Sequence, residues 1–220
     1  MTDTAPTAPT AAKRGPYARS RKRREQIADA VLRLVDEQGH EHLTTALVAR
    51  SSGVAEPSVL YHFPTKDHLL VAALERADDL SAAESGAEEE DSRLDLDGIR
   101  KAAALVSGTE RRTRLYLMLK GQAATPGHPA GAYFRARTER SVRIFARLIA
   151  HRQREGLAHP GLDPESTARQ VTALFDGLTL MQVTDNDIDA GGLLADGVRR
   201  LTGQNWMQAR ALLDDPGVGL

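Results

Sequence analysis

Tyr61, His62 and Lys66 stand within six residues, at the end of the stretch GVAEPSVLYHFPTK that runs from Gly53 to Lys66. A phenol, an imidazole and an ammonium share one capacity: each can hydrogen-bond or ion-pair with a phosphate oxygen. The hydroxyls of Thr44 and Thr45 can do the same. Between the two groups lie Ala55, Glu56, Pro57 and Ser58. Ser58 can donate or accept a hydrogen bond, and Glu56 can accept one from an amino group. No Ser/His/Asp grouping, Gly-rich phosphate loop or carboxylate pair accompanies them, so no catalytic residue is assigned and no enzyme is expected. The seven histidines are scattered, and His62 and His68 lack the i, i+4 spacing of a metal site on a helix. No metal and no cofactor is expected.

The elements that must hold these side chains are short helices. Ile27, Val31, Leu34 and Val35 recur on one helical face, and Gly39 stands just past it as a stop. Thr44 caps a second helix, TALVARSSG, with Leu47 and Val48 inward. Gly53 takes a turn that a Cβ disfavours. Pro57 sits in the first turn of a third helix, where its missing N–H is no loss. Pro64 ends that helix, and a fourth runs from about Lys66 to Leu80. Short helix, glycine turn, short helix is the helix-turn-helix pattern. Ala49 is small where the helices cross, and Val59 plugs the crossing. The second helix of such a motif enters the DNA major groove, N-terminal residues toward base edges. That assigns Ala55, Glu56, Pro57 and Ser58 to bases, with Glu56 facing a cytosine amino group. Thr44, Thr45, Tyr61, His62 and Lys66 are assigned to phosphates, which position the protein without reading sequence. Plainer readings are a core role for Tyr61, packing for His62, and for Glu56 an acid favoured at a helix start.

The run TTALVARSSGVAEPSVLYHFPTKDHLLVAAL resembles the DNA-binding domain of the tetracycline-repressor (TetR) family. The resemblance rests on the Gly-Val turn, the leucine–tyrosine–phenylalanine run and the Ser/Thr-Lys-Glu/Asp-x-Leu-Leu that follows. RGPYA and ALFDGLTLMQVTDNDIDAGGLLADGVRRL are similar to actinobacterial members. One departure is Ala55, where the family usually has a Ser or Thr cap; its loss costs about 1 kcal/mol at the helix start. The resemblance is clear over residues 14–80 and looser beyond. It implies a homodimer, a helical ligand domain at residues 92–213, and repression relieved by a small molecule.

Composition agrees with a helical, non-membrane chain. Of 220 residues 41% are hydrophobic and 4% aromatic, enough to bury a core in one large or two smaller domains. There is no cysteine, hence no disulfide framework and no thiolate ligand. No 18-residue apolar run or secretory segment is present, and a cytoplasmic location is expected. The net charge of −1 hides a local pattern. Residues 13–24 carry seven Lys/Arg and no acid, while residues 84–97 carry seven acids and one Arg. The basic run reads as a solubilising tail, a polybasic address, or an arm with Arg14, Arg19 and Arg21 near a minor groove. Three parts are expected: residues 1–23, a disordered basic arm; 24–80, the DNA-binding domain; 92–213, a ligand-binding and dimerisation domain. Residues 81–91 read as a loop.

Further helices are expected near 96–106, 111–124, 130–156, 164–183 and 191–203, with a final turn or two in NWMQARALL. The fold class is therefore all-α: an N-terminal three-helix helix-turn-helix domain joined by a fourth helix to a C-terminal helical domain. The helices at 164–183 and 191–203 are apolar enough to form a two-fold dimer interface, with Val171, Leu174, Leu178, Leu194, Val198 and Leu201. The alternative is that they are core. Leu105, Tyr116, Met118, Leu119, Gln122, Tyr133, Phe134, Phe145, Phe175 and Met181 are expected to line an inducer pocket. Met and aromatic linings suit an apolar ligand with a few polar anchors. The expected function is a ligand-responsive homodimeric repressor on a near-palindromic double-stranded operator. The alternatives are a non-specific architectural DNA-binding protein, and a helical small-molecule binder with a vestigial helix-turn-helix.

Overall fold

Alanine, leucine and arginine dominate the chain, and all three favour helix. The computed structural model describes residues 16–85, 109–185 and 187–213, and its regular elements there are all α-helices. They are α1 (Pro16–Gln38), α2 (Thr45–Ser52), α3 (Glu56–His62), α4 (Lys66–Ser85), α5 (Glu110–Gln122), α6 (Pro129–Arg154), α7 (Pro164–Thr184), α8 (Ala190–Leu201) and α9 (Gln204–Leu213). Caps mark several starts. Thr44, Thr109, Asp163 and Asp189 each accept a backbone N–H of the first turn, which satisfies a donor the helix itself leaves open.

Two expectations are corrected. α1 begins at Pro16, eight residues before Arg24, so Arg19 and Arg21 ride on a helix rather than a disordered arm. The helix extends because no Gly or Pro interrupts YARSRKRREQ, and Arg and Lys are good helix formers. α4 continues through Ser85, carrying Ser81, Ala82, Ala83 and Glu84 in place of a loop. Arg14, Leu105 and the expected helix at 96–106 lie outside the described residues.

α1 packs on α4 and α2, and α2 on α3, to form a head. α6 packs on α7, and α7 on α8, to form a body. One core serves both. Ile27, Val31, Val48, Val59 and Phe63 of the head are continuous with Leu115, Leu119, Tyr133 and Phe134 of the body, through Leu69, Leu70, Ala73 and Leu74 of α4. A second cluster gathers Leu148, Val171, Leu178, Leu194 and Val198. Gly197 permits that packing: a Cβ there would collide with Leu174 Cδ2.

Polar ties cross the same boundary. The Asp36 carboxylate, near the end of α1, accepts from Thr109 Oγ1 (2.9 Å) and from two nitrogens of Arg112. Arg111 donates to the carbonyls of Asp36 and Glu37, which have no partner within their own helix end. Asp78 of α4, its side chain 10% exposed, accepts from Tyr133 Oη (2.8 Å), Arg137 (3.0 Å) and Arg140 (3.0 Å) of α6. Burial would lower the Arg137 pKa, but Asp78 and the neighbouring tyrosines outweigh it and hold the guanidinium charged.

Candidate nucleic-acid interface

The turn between α2 and α3 follows local rules. Thr44 Oγ1 accepts from Leu47 N (3.2 Å) and starts α2. Gly53 closes it at φ 67°, the left-handed region where a side chain is strained. Val54 N then donates to Ala49 O (3.2 Å), and Val48, Val54 and Val59 are fully or almost fully buried at the crossing. Pro57 sits in the first turn of α3. Ala55 offers no side-chain cap, as its residue type requires.

α1 clamps the motif from behind by contacts that no local pattern announces. Gln26 Nε2 donates to Ser52 O (2.7 Å), and Arg33 to Ser51 O (3.1 Å) and Oγ (2.8 Å). Arg24 donates to His62 O (2.9 Å), and its guanidinium lies 4.5 Å from the centre of the Phe63 ring. Carbonyls at the ends of both short helices are thus satisfied, and α3 is held on Phe63, itself buried.

The outward side carries the predicted contacts. Tyr61 is 82% exposed, with its ring edge-on to His62 at 5.2 Å. It lies on the opposite side of the short helix from fully buried Val59, which disposes of the core reading. His62 is half-buried. Burial depresses its pKa, and Arg24 and Arg23 add to the effect, so the ring favours its neutral form. Lys66 is exposed, yet its ammonium donates to Glu41 O (2.9 Å), which ties the start of α4 to the α1–α2 connection. Ala55 and Pro57 are exposed, and Ser58 is half-buried.

Thr45 and Glu56 are brought to each other: Thr45 Oγ1 donates to Glu56 Oε1 at 2.5 Å. Neither is the free contact the sequence reading assigned. An acid held at the first turn of α3 favours the helix dipole, which offsets part of the missing cap. Sequence reasoning missed Leu60, an aliphatic side chain 43% exposed beside Tyr61. The clue was available: with Val59 inward, position 60 lies about 100° round the helix. Arg19 and Arg21 are exposed on α1 with Lys22 and Arg23, and Arg21 pairs with Glu25 (3.5 Å).

The C-terminal assignments fare differently. Val171, Leu178, Leu194 and Val198 are buried within the protomer, and Leu174 and Leu201 pack against them. The four buried side chains are taken up by their own protomer, while Leu174 and Leu201 stay half-buried; apolar periodicity reveals a buried face but not whose surface buries it. On α7 and α8 the exposed large apolar side chains are Leu180 (56%), Met181 (50%) and Leu193 (47%).

Among the described residues, most of the expected pocket residues fall in two packed clusters. Tyr116, Leu119, Tyr133 and Phe134 belong to the core shared with the head, with half-buried Met118 against it. Phe145 and Phe175 pack on the second cluster, and Met181 faces solvent. Gln122 is half-buried, with an unpartnered side-chain oxygen. Tyr116 donates to Asp176 (2.8 Å) beside Lys120, and burial chiefly raises the pKa of both buried phenols. An open groove of about 540 Å³ lies between α4 and α6, lined by Glu75, Asp78, Asp79, Tyr133, Arg137, Arg140 and Arg143 among others. That lining is charged rather than apolar, because Arg recurs along one side of α6 and faces the acids of α4.

Among the described residues no helix is long and apolar enough to cross a membrane. Residues 27–73, which span α2 and α3 and parts of α1 and α4, match the family model of bacterial regulatory proteins, tetR family. The chain is 24% identical over 176 residues to the A-factor receptor protein of Streptomyces griseus, covering 80% of this chain and 60% of that protein. It is 41% identical over 56 residues to the HTH-type transcriptional repressor KstR of Mycolicibacterium smegmatis, covering 26% of this chain and 28% of that one. A TetR transcription regulator from Haloarcula marismortui superposes with a TM-score of 0.65 at 22% identity, over 83% of this chain and 97% of that chain.

Proposed function

As a member of the TetR family of bacterial regulatory proteins, this chain is, we propose, a cytoplasmic, ligand-responsive transcriptional repressor that binds a near-palindromic operator as a homodimer. The observation that carries the DNA reading is the two-faced α3: Val59 is fully buried on one side, and Tyr61 stands 82% exposed on the other. Tyr61, His62, Lys66 and Thr44 take phosphates, Ala55, Pro57 and Ser58 face the major groove, and Arg19 and Arg21 of α1 lie near a minor groove. Residues 24–80 form the DNA-binding unit, with the N-terminal turns of α1 as its extension. Residues 92–213 form the dimerisation and ligand unit.

The dimer surface is the outward side of α7 and α8. Ala173, Gly177, Leu180 and Met181 recur there at helical spacing and are exposed, and Leu193 extends the patch. The inducer site is the α4–α6 groove. Carboxylates and guanidiniums in its lining favour a ligand with charged or several polar groups over the apolar one first expected. One relative is named as a receptor, of A-factor, which supports a ligand input. A ligand that prefers a conformation with wrongly spaced heads weakens DNA binding by the same coupling factor. α4 is the natural carrier, since it shares a core with both halves.

Selection of bound DNA from a random pool by the purified chain tests the reading, with Tyr61→Ala and Lys66→Ala as controls. The expected result is an enriched palindrome, lost in both variants. Binding that tracks salt without sequence preference would instead mark an architectural protein. No binding at all would leave a helical small-molecule binder.

A further inference from the structure

We propose that α3 reads its operator through thymine methyl groups, and that Leu60 and Pro57 are the side chains that read them; this rests on the operator reading above. Four residues of α3 and its cap are exposed: Ala55, Pro57, Leu60 and Tyr61. None carries an amide or a guanidinium, the groups that grip adenine or guanine in bidentate fashion. The one side chain suited to a cytosine amino group, Glu56, has its Oε1 engaged by Thr45 Oγ1 at 2.5 Å. Ser58 is half-buried.

Leu60 keeps 43% of its surface in water on a head that exposes Arg19, Arg21, Lys22, Arg23, Arg50 and Lys66. The run from Arg19 to Arg24 carries five cations and no acid, and is complementary to a polyanion. The apolar group a DNA major groove offers to an aliphatic side chain is the C5 methyl of thymine. Pro57 lies on the face opposite Val59, and Leu60 lies three residues on along the same outward half of the helix. The two therefore meet neighbouring base steps. Each half-site then holds thymines under Pro57 and Leu60, and Glu56 contributes no base preference.

The test uses the full chain and the duplex obtained by selection. Each thymine is replaced in turn, in both half-sites, by deoxyuridine, which removes the methyl and leaves the Watson–Crick edge intact. Affinity is read by fluorescence anisotropy. At one or two positions per half-site, binding is expected to weaken about fourfold per methyl, or about fifteen-fold for the symmetric pair, from the transfer of one buried carbon. Leu60→Ala removes the thymine–uracil discrimination at one of those positions, while its melting curve stays that of the parent. Glu56→Ala leaves the ranking of bases unchanged. The proposal is overturned if uracil duplexes bind as well as thymine duplexes everywhere, if Leu60→Ala keeps full discrimination, or if Glu56→Ala changes the preferred base. A selection that enriches no sequence removes the operator reading and this one with it. An enriched palindrome indifferent to methyl loss removes this one alone.

Discussion

His62 sits at the end of α3 with its protonation opposed by burial, Arg24 and Arg23. Its folded pKa lies below the ordinary 6.5, so folding favours the neutral ring. The resulting stability is present above pH 6.5 and is lost as pH falls through the folded pKa. A phosphate beside the ring pulls the other way, because it stabilises the imidazolium. Operator binding should then take up a proton and tighten as pH drops from about 8 to about 6. Anisotropy titrations across that range should show the rise, and His62→Gln should flatten it. A profile unchanged in the variant would assign the proton to another group. At this scale the backbone is equally specific: a Cβ at Gly53 would meet no atom within 4 Å, so the cost of Gly53→Ala is the left-handed conformation alone.

Helices in this molecule are joined by ties between their ends and flanks. The Asp36 socket holds the end of α1 to the start of α5 through Thr109 and Arg112, with both ion-pair side chains mostly covered (24% and 19% exposed). Asp36→Ala should cost about 2 kcal/mol in urea denaturation, since it strips a charged acceptor from donors that stay partly buried. A double-mutant cycle with Arg112→Ala should return a coupling of about 1 kcal/mol or more. Additive effects would mean the pair is incidental. α1 makes a second prediction. If its first turns lie along DNA, Arg19→Ala with Arg23→Ala should flatten the plot of log affinity against log salt by about 0.9 for each phosphate no longer neutralised. An unchanged slope would place that basic surface off the DNA.

The whole molecule needs a partner if it is to present two copies of α3 to one duplex. Leu180, Met181 and Leu193 are exposed on α7 and α8, while four of the six residues first assigned to that role, Val171, Leu178, Leu194 and Val198, are packed inside. Leu180→Glu should therefore yield a monomer by light scattering and weaken operator binding by at least tenfold, with the melting temperature little changed, because an exposed site tolerates the charge. A dimer that survives the change would move the interface elsewhere. The head and body share one core through α4, so a shift of α4 against α6 cannot leave the head where it was.

Much of this architecture was legible residue by residue. Thr44, Gly53, Pro57 and Asp163 declare helix starts and stops because capping and φ preference act within a few residues. The inward set Ile27, Val31, Val48 and Val59 follows from a period of 3.6. The sequence by itself therefore determined an all-α fold class and a helix-turn-helix. Tertiary structure alone decided that Lys66 bonds the Glu41 carbonyl, that Thr45 occupies Glu56, that Asp36 grips Arg112, and that Val171 and Leu194 face their own protomer. These contacts join residues 11 to 76 positions apart or pair two helices across space. Periodicity marks a face as apolar and composition marks a side chain as charged, but only the packing of helices chooses which neighbour each one meets.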